Sequence, residues 1–323
     1  MLTRQDIRRR SLRSWLFSRY LRWRFKPRMA SDDFDPVRFR RWLDREMGSQ
    51  RTAAGVTIKP VTVESGLGET RIAVPAEWSV PDETAGDRVI LYFHGGGYLF
   101  GSPLSYRSFT SRLAQEAGMR VLAPDYRLAP EQPFPAAVDD ALAAYRWLLE
   151  AEDVPPSRIV LAGDSAGAGL ALALVHALKA EGDPLPAAIM TLSPYTDLAT
   201  TGASLEENSG RCAMFTAESI RRAARTYLAG AEAELPLASP LYGDFQGFPP
   251  LLILLSQTEA LRDDGLRVAE QANRAGVEVQ LQVWRDQPHV WPIFYPLIPE
   301  ASRSIRDLAA FARQYSRRDN AGD

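Results

Sequence analysis

Gly163-Asp164-Ser165-Ala166-Gly167 is a G-x-S-x-G string, and its surroundings decide the fold. The residues before it, Arg158-Ile159-Val160-Leu161-Ala162, read as a short buried strand. Residues 168–179 read as an alanine- and leucine-rich helix. A serine on so sharp a strand-to-helix turn is forced out of the backbone envelope, with its hydroxyl exposed. Glycines flank it because a side chain there would clash with the neighbouring strand and helix. The amide of Ala166, at the helix start, faces the place where an oxyanion would form. A tight turn that merely contains serine has the same five letters, so the string needs other signals beside it.

The next signal lies upstream. His94-Gly95-Gly96-Gly97 follows the apolar strand candidate Arg88-Val89-Ile90-Leu91-Tyr92-Phe93. Successive glycines leave backbone N–H groups uncovered and allow close approach to a ligand. Acyl transfer needs two or three such donors aimed at the developing negative oxygen, and losing one costs about a hundredfold or more in rate.

A nucleophilic serine needs a base, and the chain has only three histidines: His94, His176 and His289. His94 belongs to the glycine loop. His176 lies eleven residues beyond Ser165 on the same expected helix, which at 1.5 Å per residue is about 16 Å away. It reads as a satisfied helix histidine. His289 remains, in a loop after the strand candidate at 278–284. The third member should be an acid between the two, on a turn after a strand. Downstream of the apolar run Leu251-Leu252-Ile253-Leu254-Leu255 three carboxylates compete: Glu259, Asp263 and Asp264. Glu259 sits on the turn itself. The aspartates fall one helical turn later, where acids favour a helix N-terminus. Turn position selects Glu259, whose work would be to hold the His289 tautomer and stabilise the imidazolium.

Taken together these motifs resemble the hormone-sensitive-lipase-type carboxylesterases of the α/β-hydrolase superfamily. The resemblance rests on His94-Gly95-Gly96-Gly97, Asp125-Tyr126-Arg127-Leu128-Ala129-Pro130-Glu131, Phe134-Pro135-Ala136-Ala137, Gly163-Asp164-Ser165-Ala166-Gly167 and Pro288-His289, all in family order over about residues 55–315. It implies an oxyanion hole from the amides of Gly95, Gly96 and Ala166. Most members place an aspartate where this chain has Glu259, two residues before Leu261, and a glycine where it has Ser256. The resemblance also implies a helical cap, made from residues 1–54 and the inserted segment 199–235, over a core of residues 55–198 and 236–323. Met214, Phe215 and Tyr227 would then line an acyl pocket, together with Phe34 or Trp42. Tyr98, beside the glycine loop, and Tyr195, after a core strand, are further pocket candidates. A homodimer through the last core strand and the C-terminal helix is a further implication.

Strand candidates at 55–63, 70–74, 88–93, 119–123, 158–162, 187–192, 251–255 and 278–284 predict an eight-stranded sheet. From the third onward they alternate with helical stretches, which predicts a mostly parallel sheet covered on both faces. The first two, joined by a turn at 65–68, read as an antiparallel edge.

The first thirty residues carry ten basic side chains against one acid, Asp6. The formal net charge of −2 therefore leaves −11 for the remainder. Leu12, Trp15, Leu16, Tyr20 and Trp23 recur at helical spacing among the arginines. Two readings compete: weak peripheral contact with an anionic membrane, or a lid helix that buries Trp15, Trp23 and Phe25 against the acidic body. The lid reading is preferred. No signal peptide or membrane-spanning run is recognisable, so the cytoplasm is the default compartment. A single cysteine, Cys212, excludes an internal disulfide and a cysteine-rich zinc site. No nucleotide-binding loop, metal motif or nucleic-acid signal stands out.

The sequence thus predicts a cofactor-free serine esterase for small, moderately apolar esters of short to medium acyl chain. Lactone or amide hydrolysis with the same triad, or a ligand receptor on a hydrolase scaffold, are the alternatives.

Overall fold

The uninterrupted apolar runs of the sequence become strands with every residue buried: β4 (Val89–Phe93), β6 (Ile159–Asp164), β7 (Ala188–Leu192) and β8 (Leu251–Ser256). Such runs arise where a sheet is covered on both faces. Side chains alternate across it: Leu91, Phe93, Leu161 and Ile253 meet one layer of helices. Ile90, Tyr92, Val160 and Leu252 meet the other. The structure, a computed structural model, describes residues 1–8, 10–66, 72–84 and 86–316.

The remaining elements in chain order are β1 (Leu2–Ile7), α1 (Leu12–Arg24), α2 (Lys26–Ala30), α3 (Pro36–Met47), β2 (Val56–Ser65), β3 (Ile72–Pro81), α4 (Pro103–Ala117), β5 (Arg120–Pro124), α5 (Ala136–Glu150), α6 (Ala166–Glu181), α7 (Ser204–Glu207), α8 (Ala217–Leu228), α9 (Arg262–Arg274), β9 (Val279–Trp284) and α10 (Pro299–Tyr315). Sheet order is β1-β9-β8-β7-β6-β4-β5-β3-β2. All neighbours are parallel except β2 with β3 and β3 with β5. This is the α/β-hydrolase architecture. Ala141 of α5, Leu172 of α6 and Val268 of α9 pack on one face. Phe109 and Leu113 of α4, with Ile305 and Leu308 of α10, pack on the other. Each such leucine or isoleucine contributes about 1.5–3 kcal/mol by leaving water.

Among the described residues the sheet has nine strands rather than the expected eight. Leu2–Ile7, expected in the cap, pairs in parallel with β9, Leu2 opposite Val279 and Ile7 opposite Trp284. Its exposed Arg4, Gln5 and Asp6 hid it from a search for apolar runs, and charges of this kind are what protects a sheet edge from further pairing. β9 thus has β8 and β1 on its two sides and is not an edge strand of this sheet. The expected turn at 65–68 and strand start at Thr70 fall mostly outside the described residues.

Candidate active site

Ser165 stands where β6 ends and α6 begins, at φ 50° and ψ −118°. A positive φ on a residue with a Cβ costs about 1–3 kcal/mol and persists only where the surroundings impose it. Here the Ser165 amide donates to the Leu192 carbonyl at 2.8 Å, and its own carbonyl accepts from Tyr195 at 2.9 Å and Gly169 at 3.1 Å. A Cβ at Gly167 would strike the Phe93 carbonyl of the neighbouring strand, which is why this turn needs glycine there.

His289 and Glu259 come from the loops after β9 and β8, which are adjacent strands. Glu259 Oε2 lies 2.6 Å from His289 Nδ1, and both side chains are buried. A carboxylate only accepts, so Nδ1 carries the proton and Nε2 keeps its lone pair. That Nε2 is buried and, among the described residues, has no hydrogen-bond partner; it lies in the cavity that Ser165 also lines. The other Glu259 oxygen accepts from the Ser256 amide at 2.6 Å. Ser256 Oγ in turn donates to the Gln287 carbonyl at 2.7 Å, tying the acid turn to the histidine loop. Asp263 is engaged elsewhere, accepting from the Ser204 amide at 2.8 Å and from Arg262 at 2.9 Å. Asp264 accepts the Thr196 and Asp197 amides, and burial pushes its carboxyl up to about 8. His176 bonds the Pro240 carbonyl, away from Ser165.

The glycine loop requires a correction. The Gly95 amide is not free: it donates to Asp164 Oδ1 at 2.8 Å and meets Tyr106 Oη at 3.2 Å. Gly96 and Gly97 follow at φ 124° and 63°, conformations that release their amides from local pairing. Among the described residues, neither amide has an acceptor within the chain. The two loop donors open to a ligand are therefore Gly96 and Gly97, beside Ala166 at the start of α6. The loop is fastened from below: Tyr126 Oη donates to the His94 carbonyl at 2.6 Å, and its ring stacks on His94 at 4.3 Å. Burial lowers the His94 imidazole to about 4, so it stays neutral.

Asp164 is the hub of this arrangement. Its fully buried carboxyl accepts from Tyr92 at 2.6 Å, Tyr106 at 2.9 Å and the Gly95 amide. Desolvation outweighs these bonds and raises it to about 6. Asp164→Ala strands two phenols and one amide. It is expected to cost about 3–5 kcal/mol in urea unfolding, and a loss below about 0.5 kcal/mol would contradict this account of the hub.

Ser165 opens onto two cavities. One, of about 330 Å³, is walled by Phe17, Tyr20 and Phe25 near the N-terminus, by Met214 and Phe215, and by Phe294. Phe215 also sets its edge against the His289 ring, centroids 5.4 Å apart. The other, of about 40 Å³, is bounded by Phe34, Phe100, Tyr195, Phe215, Ile220 and Leu261. Met214, Phe215, Tyr195, Trp42 and Phe34 thus lie where pocket residues were expected. Tyr98 does not: it is buried, stacked on Tyr227 at 3.8 Å, and neither ring borders a cavity that Ser165 lines. Sequence reasoning missed Phe17, Phe25 and Phe294. Only Phe25 sits among residues singled out for burial, and nothing local marks the others as cavity walls.

Comparison with known proteins identifies the family. A family model described as the alpha/beta hydrolase fold matches residues 90–293. A solved esterase of the bacterial hormone-sensitive lipase family superposes with a TM-score of 0.87 at 40% identity, covering 96% of this chain and 100% of that one. The chain belongs to the hormone-sensitive-lipase type of α/β-hydrolase. An acetyl-hydrolase of Streptomyces hygroscopicus is 48% identical over 238 residues, 74% of this chain and 79% of its own length. An esterase of Acinetobacter venetianus is 33% identical over 258 residues, 80% of this chain and 82% of its own. As a member of this family the chain is a carboxylic ester hydrolase.

Proposed function

We propose that this hydrolase is a serine carboxylesterase that works through an acyl-enzyme on small, moderately apolar esters of short to medium acyl chain. The observation that carries the reading is the unpartnered, buried Nε2 of His289, facing the same cavity as Ser165 while its other nitrogen is held by Glu259. Nε2 takes the Ser165 proton as Oγ attacks the ester carbonyl carbon. The carbonyl oxygen becomes an oxyanion held by the amides of Gly96, Gly97 and Ala166, with Gly97 in place of Gly95. The imidazolium, balanced by Glu259, passes its proton to the alkoxide oxygen as the C–O bond breaks. Water then enters, gives a proton to Nε2 and attacks the acyl carbon, releasing the acid and restoring Ser165. The helices α1 and α3 and the 213–228 segment act as the cap that keeps this exchange out of bulk water.

The two cavities bound the substrate. The one of about 40 Å³ has room for a group of only a few heavy atoms, whereas the apolar one of about 330 Å³ takes a longer chain. One side of the ester should therefore be short. Hexyl acetate is expected to exceed hexyl hexanoate in kcat/KM by about tenfold or more, since an unaccommodated chain forfeits about 0.8 kcal/mol per methylene. Equal values would remove the two-cavity account. Turnover of a lactone or an acetanilide in preference to every ester would replace the esterase reading with one of its alternatives.

A further inference from the structure

Helix α1 is built inside out. Its buried residues are Ser14, Ser18 and Leu21, with Ser14 Oγ donating to Gln287 Oε1 at 2.7 Å and Ser18 Oγ to the Ser14 carbonyl at 2.8 Å. Its large apolar residues face out: Leu12 is 70% exposed, Trp15 42%, Leu16 53%, Tyr20 53% and Trp23 73%. This corrects the expectation that Trp15 and Trp23 are packed into a lid. A surface helix ordinarily turns its apolar stripe inward. A contiguous outward stripe marks a surface that meets something apolar.

At 100° per residue, Leu12, Trp23, Leu16 and Tyr20 share an arc of about 80°. Arg19 and Trp15 adjoin it on one side and Arg13 and Arg24 on the other. The guanidiniums of Arg19 and Arg24 lie 5.1 and 5.4 Å from the ring centroids of Trp15 and Trp23. Among the described residues Arg13, Arg19 and Arg24 have no carboxylate partner. Tyr20, on the stripe, also walls the cavity of Ser165, as does Arg24 at its border. Leu297, 53% exposed, is a further apolar residue of that cavity wall.

We infer that α1 docks this protein on an anionic lipid surface, with the mouth of the Ser165 cavity against the bilayer. Aromatic and aliphatic side chains enter the headgroup region while the arginines reach phosphates around them. Among the described residues no helix is long and apolar enough to cross a membrane, so α1 lies in the interface plane. A second copy of the chain fits the stripe poorly. A two-fold contact sets the same patch against itself, bringing two sets of unpaired guanidiniums together. Docking stands without the esterase reading. Its consequence, that an apolar ester passes from lipid to Ser165 without crossing water, rests on that reading.

The test is cosedimentation of the full chain with phosphatidylcholine vesicles, with and without phosphatidylglycerol, at low and raised salt. The expected result is binding at least about tenfold stronger to the anionic vesicles, weakened by salt, with a blue shift of tryptophan emission. Leu12→Ser/Leu16→Ser/Trp23→Ser and, separately, Arg13→Gln/Arg19→Gln are each expected to lose most of that binding. Circular dichroism and turnover of water-soluble p-nitrophenyl acetate should stay at the parent level, since none of these side chains touches the cavity. If the parent lacks p-nitrophenyl acetate turnover but binds vesicles, the esterase reading fails and docking stands. Absence of vesicle binding at low salt, binding that neither variant alters, or a dimer that the triple variant converts to monomer would each overturn the proposal.

Discussion

Ser165→Ala is expected to lower kcat on p-nitrophenyl butyrate by about a million-fold, with the folded state intact. The serine is the protein group that bonds to the acyl carbon of the substrate in the proposed mechanism. Its backbone conformation is imposed from outside, by the bonds to Leu192, Tyr195 and Gly169, so alanine inherits the turn. What survives is binding and the oxyanion donors, which by themselves leave a residual acceleration of about a thousandfold over water. Retention of more than about one per cent of parental turnover, in protein of matching thermal stability, would show that another group attacks the ester.

The second large effect belongs to Glu259→Gln. The carboxylate holds His289 through a 2.6 Å bond to Nδ1 and sits buried, among the described residues without a lysine or arginine ion pair, its other oxygen on the Ser256 amide. Glutamine can turn its NH₂ toward Nδ1, which then accepts and leaves the proton on Nε2. The imidazole is thereby the wrong tautomer to take a proton from Ser165. A loss of about a thousand- to ten-thousandfold in kcat is expected, with KM little changed. Asp263→Asn supplies the contrast. Asp263 braces the start of α7 and pairs with Arg262, so its neutralisation should cost about 1 kcal/mol of stability and leave turnover within a few fold. The opposite ranking of the two variants would move the acid to Asp263.

The core and the serine turn were legible because their signals are local. A strand buried on both faces needs an apolar run, and a strand-to-helix elbow needs small residues around its apex. Glu259 was legible by position, since the turn after a parallel strand is where a side chain can project toward the next loop. The identity of the free glycine amides was not. Which of three consecutive N–H groups is engaged depends on Asp164, brought against the loop by the pairing of β4 with β6. Tyr98 was misread for a related reason: adjacency to the loop says nothing about which way a residue at φ 62° points, and its ring turns to Tyr227. β1 escaped because an edge strand with polar faces has no apolar period to detect. The ordinary rule that large apolar groups are buried places the tryptophans of α1 against the body of the protein. That rule runs one way only, and the serines at positions 14 and 18 carried the contrary signal.

The most direct test of the account is covalent. A fluorophosphonate probe, which reacts only with a serine activated by a neighbouring base, should label the native protein once per chain, and peptide mass spectrometry should place the adduct on Ser165. Labelling should vanish in Ser165→Ala and slow greatly in His289→Asn. An adduct on any other serine, or undiminished labelling of Ser165→Ala, would contradict the central claim.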